Sequence, residues 1–285
     1  PAPWAGTPLV GRSPAWSAVL AAAAAQVRSG DPVLLAGEAG TGKSTLARAM
    51  HDRLGLPDHP CAVVDCAAAP GDGLPDVVET ALATGRGTLL LQHIDALAAP
   101  AARALSARLE AHVATGAAPR VMATTAPVDH DTADAPHQRL LDLLGVVRLD
   151  LPPLRARTED VPELVAHVGH RHAGAAPVLS QKAMVALKRA PWPGNVRQLE
   201  TVVRAVTATS GGREVTVEML PPEIAVHSKR RHLTAMEQVE LEAILSALGR
   251  SRGNKVLAAR DLGISRSTLY RKMTSYLLDP DQAFF

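Results

Sequence analysis

The chain has 285 residues, of which 47% are hydrophobic, 2% are aromatic and 20% are charged, and its formal net charge is +2. This length suits two or three domains, and the scarcity of aromatic residues requires a core of Ala, Val and Leu. The sequence contains no apolar run near the roughly 20 residues that a membrane-spanning helix needs, and no basic-then-apolar leader. We therefore expect a cytoplasmic protein with no membrane partner. Because it begins at Pro1 rather than Met, we also expect a processed chain or part of a longer one.

The charge is unevenly distributed along the chain. From Lys229 to the C-terminus there are ten Lys and Arg against six Asp and Glu, a local charge of +4, which leaves −2 for the rest. A basic end behind a mildly acidic body predicts that the C-terminal segment alone binds an anionic partner.

The first half of the chain alternates short apolar runs with helical patterns. Strands are predicted at 32–36, 61–66, 87–93, 120–125 and 146–151, and helices at 15–28, 44–50, 76–83 and 100–112. Alternation at this rhythm is typical of a parallel, doubly wound sheet. We predict one α/β unit over residues 1–151.

The second half is helical throughout. Helices are predicted at 159–173, 180–189, 195–210 and 216–220, which gives a small all-α unit over residues 152–222. Residues 223–233, with three successive basic residues, are predicted to be an exposed basic linker. A last helical unit covers residues 234–278, and residues 279–285 form a tail.

A phosphate loop lies between the first predicted strand and the helix after it. Residues 37–44 read Gly37-Glu38-Ala39-Gly40-Thr41-Gly42-Lys43-Ser44, a complete G-x-x-x-x-G-K-[ST] pattern, and Thr45 continues into the helix. The glycines let successive N–H groups turn inward as an anion nest at the positive end of a helix. Lys43 is then placed for the β and γ phosphates, and the Ser44 hydroxyl for Mg²⁺. The loop predicts binding of ATP or ADP with Mg²⁺.

The C-terminal unit has the pattern of a helix-turn-helix. In the turn at 262–265, Gly263 provides the tight bend, Ile264 fills the core and Ser265 caps the next helix. The recognition helix is predicted at 266–273, with one side buried and the other available to phosphates and guanine edges. The residues predicted to contact DNA are Asn254, Lys255, Ser265, Arg266, Thr268, Arg271 and Lys272. The alternative is a small helical interaction module with a solvated basic face.

The helix before this turn has too much apolar surface for one partner. Between residues 234 and 248 the apolar residues span more than one stripe, so we expect the helix to pack within its own domain and against a second copy. They are Met236, Val239, Leu241, Ile244, Leu245 and Leu248.

Six short stretches in a fixed order resemble a known family. They are residues 9–11 (LVG), the phosphate loop, residues 87–91 (GTLLL), residues 151–155 (LPPLR), residues 159–161 (EDV) and residues 192–200 (WPGNVRQLE). Residues 8–222 resemble the central AAA+ domain of bacterial enhancer-binding proteins, the sigma-54-dependent activators, and residues 234–278 resemble the Fis-type helix-turn-helix that follows it. The resemblance implies an AAA+ P-loop NTPase sheet with a helical lid, followed by an all-α DNA-binding domain.

The resemblance also implies functional residues and partners. Val10 and Gly11 would lie beside the base, and Arg197 would be the second sensor, carried by the lid over the phosphates. Trp192 and Pro193 would be packing and helix-entry residues. The implied partners are a palindromic site in double-stranded DNA, RNA polymerase and further copies of the chain, as a dimer through the C-terminal domain and as a ring of six or seven.

The family's acidic pair is missing. Its third strand ends in Asp-Glu, which hold Mg²⁺ through water and polarise the attacking water, whereas this chain has Gln92 and His93. His93 is either a substitute base or a strand-end residue facing solvent or a neighbour. Asp95 is predicted to cap the following helix. Asp65 replaces the asparagine that restrains the family's glutamate, and its role is open.

Two further family features differ. Only about twenty residues, with no Phe, separate Cys66 from Gly87, so the Gly-Ala-Phe-Thr-Gly-Ala loop that touches the sigma factor is absent. The arginine-finger run aligns with residues 136–143, where Arg139 is either a displaced finger or a surface arginine on an amphipathic helix.

Neither of two possible metal clusters has a suitable pattern. Cys61 and Cys66 are five residues apart, which fits no common zinc spacing. His167, His170 and His172 lack a spaced carboxylate or cysteine partner, which favours an exposed helix end.

Taken together, the sequence predicts a transcription regulator that binds nucleotide and DNA but has weak or no ATPase activity and acts independently of sigma-54. An active AAA+ ATPase that remodels the transcription machinery is the first alternative. A nucleotide-responsive scaffold whose basic tail binds protein is the second.

Overall fold

The computed structural model describes residues 4, 6–27, 29, 31–53, 60–68, 74–115, 119–127, 135–228, 235–251 and 254–276. The basic residues of the predicted linker at 229–233 and the predicted tail lie outside this part. The chain divides into two compact units, residues 1–225 and 226–285, and each is described by itself.

The first unit is built on a five-stranded parallel sheet. Its strands are β1 (Val33–Ala36), β2 (Cys61–Asp65), β3 (Thr88–Gln92), β4 (Arg120–Thr125) and β5 (Val147–Asp150). Their order is β2-β3-β4-β1-β5, with Val33 of β1 opposite Met122 of β4 on one side and Val147 of β5 on the other. Every residue of β1 and β4 is buried, as expected for strands covered on both faces. The predicted α/β fold with a parallel sheet is confirmed.

Helices cover both faces of this sheet. They are α1 (Pro14–Gln26), α2 (Lys43–Asp52), α3 (Leu74–Leu82), α4 (Ala99–Thr115) and α5 (Ala135–Leu144). Successive strand residues point to opposite faces, so Leu34 packs in the cluster formed with α3, α4 and α5, whereas Leu35 packs with α1 and α2.

A helical lid follows β5 within the same unit. Its helices are α6 (Val161–Ala173), α7 (Gln181–Arg189), α8 (Asn195–Ser210) and α9 (Pro222–Ala225), with single 3₁₀ turns at Leu154–Ala156, Thr158–Asp160 and Val217–Met219. Trp192 is fully buried in the lid core, and its Nε1 donates a hydrogen bond to the Leu187 carbonyl at 2.7 Å. The predicted packing role of Trp192 agrees with this position.

The lid extends further than the sequence indicated. The predicted linker starts at residue 223, but Ile224 is only 2% exposed and packs in the lid core with Leu220 and Val215. The prediction of an exposed linker is therefore wrong at Ile224, although Glu223 beside it is exposed. The apolar run 224–226 is too short to show a helical period, so the pattern did not indicate that α9 would dock on the lid.

The second unit begins with a 3₁₀ turn at Val226–Ser228, and its described α-helices are α10 (Ala235–Arg250), α11 (Lys255–Asp261) and α12 (Arg266–Ser275). Its core joins Ile244 and Leu248 of α10 to Leu269 and Met273 of α12. Gly263 has a φ of 65°, the left-handed conformation that the predicted tight turn requires. The predicted helix-turn-helix is confirmed.

Across the described ranges, no helix combines the length and apolarity needed to cross a membrane. The same residues contain no group of three or more His, Cys, Asp or Glu arranged to hold a metal ion. His172, one of the three clustered histidines, is instead 3.0 Å from the Glu200 carboxylate.

Candidate functional site

The phosphate loop connects β1 to α2 and lies directly under the lid. Gly40 has a φ of 76°, and a Cβ atom there would come within 2.2 Å of the Gly194 carbonyl oxygen. Glycine is therefore required at this position both for backbone conformation and for the close approach of the lid. Gly42, with a φ of 107°, immediately precedes α2, so the N-terminus of this helix lies at the end of the phosphate loop.

Lys43 is held inside the loop by backbone carbonyls. Its Nζ donates to the carbonyl oxygens of Gly37 at 2.5 Å and Glu38 at 2.9 Å. Burial lowers the pKa of Lys43, and the Asp95 carboxylate opposes this effect. The ammonium group therefore lies in the concave loop where a phosphate group would meet it.

A cavity of about 280 Å³ opens beside this lysine. The structure brings together on its wall residues that the sequence predicted separately: the loop, the third strand end and the second sensor. The lining residues include Ala39, Gly40, Gly42, Lys43, Ser44, Thr45, His93, Asp95 and Arg197. Val10 and Gly11, predicted beside the base, are not among the described residues that line it.

Gly11 instead packs against a buried carboxylate. Asp160, which has no exposed surface, accepts hydrogen bonds from Arg12 N at 2.8 Å, Ser13 N at 2.7 Å and Ser13 Oγ at 2.8 Å. A Cβ atom on Gly11 would lie 2.6 Å from Asp160 Oδ2. Asp160 thereby fixes the segment with Val10 and Gly11 to the start of the lid.

Glu38 joins the phosphate loop to the lid. Its carboxylate accepts two hydrogen bonds from Arg155, at 2.6 and 2.8 Å, and one from Asn195 Nδ2 at 3.1 Å. The hydrogen bond from Arg155 is the main cause that lowers the pKa of Glu38 to about 2. Asn195 also donates to the Ala39 carbonyl at 3.0 Å and accepts from Leu154 N at 2.7 Å.

Two more contacts hold the loop from the lid side. Val196 N donates to the Gly40 carbonyl at 3.0 Å, and Arg157 donates to the Thr41 carbonyl at 2.8 Å. Burial lowers the pKa of Arg157 to about 10. Sequence reasoning missed the roles of Arg155, Arg157 and Asn195, although the LPPLR and WPGN motifs contain two of them.

Gln92 and His93 lie at the end of β3, facing the loop. Gln92 Nε2 donates to Ser44 Oγ at 2.9 Å, so the amide meets the hydroxyl predicted to bind Mg²⁺. His93 Nδ1 lies 2.9 Å from Asp65 Oδ1, and this hydrogen bond is the main cause that lowers the pKa of Asp65. The His93 side chain is 47% exposed and faces its neighbour Asp65, as the second of the two alternatives has it, and it also lines the cavity.

Asp95 does not cap the following helix as predicted. Its Oδ1 accepts a hydrogen bond from Ala126 N at 2.9 Å, beyond the end of β4, and α4 begins only at Ala99. The prediction was wrong because a local capping pattern competed with a long-range partner. The carboxylate lies on the cavity wall instead.

Arg139 is on the outer surface of α5. Its Nε donates to Glu110 Oε1 of α4 at 2.6 Å. This geometry agrees with a surface arginine on an amphipathic helix, the second of the two alternatives.

In the C-terminal unit, Ser265 caps the recognition helix as predicted. Ser265 Oγ accepts from Thr268 N at 3.1 Å. The exposed Arg266 places its guanidinium 5.4 Å from the centre of the Tyr270 ring, and Arg271 is also exposed on α12. These residues form the accessible basic surface of the helix, as the sequence indicated.

Three other residues that were predicted to contact DNA either bond to the protein itself or are only partly exposed. Asn254 Oδ1 accepts from Val256 N at 3.0 Å and Leu257 N at 3.3 Å, so it caps α11. Lys272 forms an ion pair with Glu240 of α10 and is only partly exposed. Lys255, at the first position of α11, is partly exposed. Sequence spacing placed Lys272 on the DNA side because it cannot show a partner 32 positions away.

Known families match almost the whole chain. Residues 8–156 match the AAA ATPase domain, residues 155–236 the AAA+ ATPase lid domain, and residues 235–276 the bacterial regulatory proteins of the Fis family. The chain is 32% identical to the DNA-binding transcriptional regulator NtrC of Salmonella typhimurium over 331 aligned positions, covering 94% of this chain and 70% of NtrC. It is 33% identical to the transcriptional regulatory protein ZraR of Klebsiella oxytoca, covering 93% of this chain and 68% of ZraR.

A solved structure agrees with these relatives. NtrX from Brucella abortus, crystallised in complex with ATP, superposes with a TM-score of 0.68 and 25% identity, covering 94% of this chain and 69% of NtrX. The chain therefore belongs to the family of bacterial sigma-54 enhancer-binding proteins, the DNA-binding transcriptional regulators in which an AAA+ ATPase domain and its lid precede a Fis-type helix-turn-helix.

Proposed function

We propose that this regulator binds ATP or ADP in the cavity beside Lys43 but hydrolyses ATP slowly, if at all. The observation that carries the proposal is the hydrogen bond from Gln92 to Ser44. The resemblance to the family implies a carboxylate at the position of Gln92. Ser44 is the side chain that would meet any Mg²⁺ carried by the nucleotide. The loop glycines, Lys43 and Arg197 remain available to phosphates, and the ATP complex of NtrX supports nucleotide binding.

More than one group that would accelerate ATP hydrolysis is missing from this chain. An amide at Gln92 brings no negative charge to balance a metal, and His93 occupies the position of the family's glutamate. An arginine finger contributes roughly 10³ to 10⁵ in rate, and Arg139 pairs with Glu110 on its own subunit. Binding requires fewer groups than catalysis, so it survives these changes.

We propose that the protein acts in the cytoplasm on a palindromic DNA site as a homo-oligomer. Dimers would form through the C-terminal unit, with nucleotide setting the assembly of a hexameric or heptameric ring. Because the sigma-contact loop is absent from the sequence, the regulator would act independently of sigma-54, by recruiting or blocking RNA polymerase.

A second candidate function is an active AAA+ ATPase. It is favoured by the pair formed by His93 and Asp65 and by Asp95 on the cavity wall, because an oriented imidazole or a displaced carboxylate can polarise water.

Steady-state phosphate release and nucleotide titration, run together on the full chain, separate the two functions. We expect ATP to bind, Lys43→Ala to abolish binding, and phosphate release to stay at the background of that variant. Release well above this background would establish the ATPase. DNA binding is tested by footprinting on DNA from the regulator's own promoter region. Protection that is unchanged by Arg266→Ala and by added salt would argue against DNA as the ligand.

A further inference from the structure

The hydroxyl of Ser44 is already engaged by a neutral partner. Gln92 Nε2 donates to Ser44 Oγ at 2.9 Å, from the end of β3 to the start of α2. The donated hydrogen occupies a lone pair of the oxygen that would face a metal ion. An amide carries no net charge in either orientation, so Gln92 adds no attraction for a divalent cation.

The carboxylates on the cavity wall, and Asp65 beside His93, have other partners. Asp65 is hydrogen-bonded to His93 at 2.9 Å, and Asp95 accepts from Ala126 N at 2.9 Å. Glu200, on the lid side of the cavity, bridges Arg171 at 3.2 Å and His172 at 3.0 Å. Asp95 is the carboxylate whose charge acts most strongly on Lys43, so its field is already balanced by a cation of the protein.

Mg²⁺ prefers oxygen ligands with nearby carboxylates, and it keeps several waters that those carboxylates hold. The residues around Ser44 fit this requirement poorly, because the side chain that reaches the hydroxyl is an amide donor. The cations Lys43 and Arg197 remain to balance the phosphates directly.

Because the residues around Ser44 do not match the ligands that Mg²⁺ prefers, we infer that the site binds adenine nucleotide with little dependence on Mg²⁺. The inference rests on the proposed nucleotide binding and adds a cofactor requirement to it. In a site with an acidic residue at position 92, Mg²⁺ removal leaves a carboxylate close to phosphate, and binding weakens. In this chain residue 92 is a neutral amide, so it does not repel the phosphates when Mg²⁺ is removed.

The test is a titration of the full chain with fluorescent ADP and with ATP, in excess MgCl₂ and again in EDTA. For the wild type we expect the two dissociation constants to agree within about threefold. For Gln92→Asp and Gln92→Glu we expect a loss of at least about tenfold in EDTA, largely restored by MgCl₂. Thermal unfolding without nucleotide checks that each variant is folded.

Gln181→Asp is the matched control. It makes the same change of charge at an exposed position, the first residue of α7. Its ratio of dissociation constants should equal that of the wild type.

The outcomes are distinct. Wild-type binding that weakens tenfold or more in EDTA would overturn the inference while leaving the nucleotide site intact. Binding in neither condition would overturn the proposed nucleotide site itself, and the inference with it. If an acidic variant fails to fold, the wild-type ratio alone decides.

Discussion

Glu38 and Arg155 connect the phosphate loop to the start of the lid through two parallel hydrogen bonds of 2.6 and 2.8 Å. A carboxylate and a guanidinium paired in this way have a fixed relative orientation. The loop that would hold phosphate and the segment that carries the lid are thus joined at a defined angle.

This ion pair predicts a pH-dependent stability. The pKa of Glu38 is lowered from 4.5 to about 2, so its contribution to the free energy of unfolding is complete above pH 4.5 and is lost as the pH falls towards 2. Because the Arg155 side chain is 51% exposed, we expect Glu38→Gln to cost only about 1 kcal/mol at neutral pH.

Urea unfolding across this pH range measures the difference between wild type and Glu38→Gln. The difference should shrink towards zero as the pH falls through the interval. Glu223→Gln, at an exposed position of α9, is the control. A difference that stays constant down to the acid limit would show that the pair has no such role.

Asp160 is expected to be a major stabilising residue of the first unit. It is fully buried and accepts hydrogen bonds from two backbone amides and one hydroxyl. Asp160→Ala would leave the amide and the hydroxyl of the buried Ser13 without this partner, at a cost of about 3 kcal/mol in the free energy of unfolding. Denaturant unfolding measures this cost, with Glu159→Ala, an exposed neighbour, as the control. A loss below about 1 kcal/mol would contradict the assignment.

Adjacent basic residues on α12 should behave differently. Arg271 is exposed, so Arg271→Ala should weaken binding to a promoter-region duplex by about tenfold and reduce its salt dependence. Lys272 pairs with Glu240, so Lys272→Ala should mainly destabilise the C-terminal unit. Fluorescence anisotropy at several salt concentrations, together with thermal unfolding, separates the two effects. Equal losses of DNA affinity with unchanged stability would contradict this division.

Pairing of the C-terminal units is predicted to use α10. Met236 and Val239 remain exposed in the single copy, by 82% and 64%, although both are large and apolar. We expect Val239→Asp to shift the protein from dimer to monomer, because a charge in an apolar interface is unpaired. Light scattering measures the mass, and Val178→Asp, at a 63% exposed valine of the lid, is the matched control. A dimer that tolerates Val239→Asp would place the interface elsewhere.

The sequence predicted well those features that local patterns determine. The strands of the sheet, the glycine turn at Gly263 and the cap at Ser265 each depend on a few consecutive residues, and the structure confirms them. The features that depend on distant partners were missed. Asp95 bonds to Ala126 and Lys272 to Glu240, and neither partner is within helical spacing.

The candidate site shows the same division. The phosphate-loop motif predicts the position of Lys43, because the motif requires a strand before it and a helix after it. The loss of an acid at residue 92 was visible from the sequence, but the contact of its amide with Ser44 depends on how β3 lies beside β4 and the start of α2. Sheet register, rather than any nearby residue, decides that contact.

The central claim is that this regulator has kept the phosphate loop and lost the machinery for hydrolysis. The most direct measurement is a single-turnover experiment in which an excess of the 285-residue chain binds γ-labelled ATP, with DNA present, and the products are separated over time. We predict that the label stays with ATP at the rate seen without protein. Release of labelled phosphate in a single fast phase that Lys43→Ala abolishes would contradict the account.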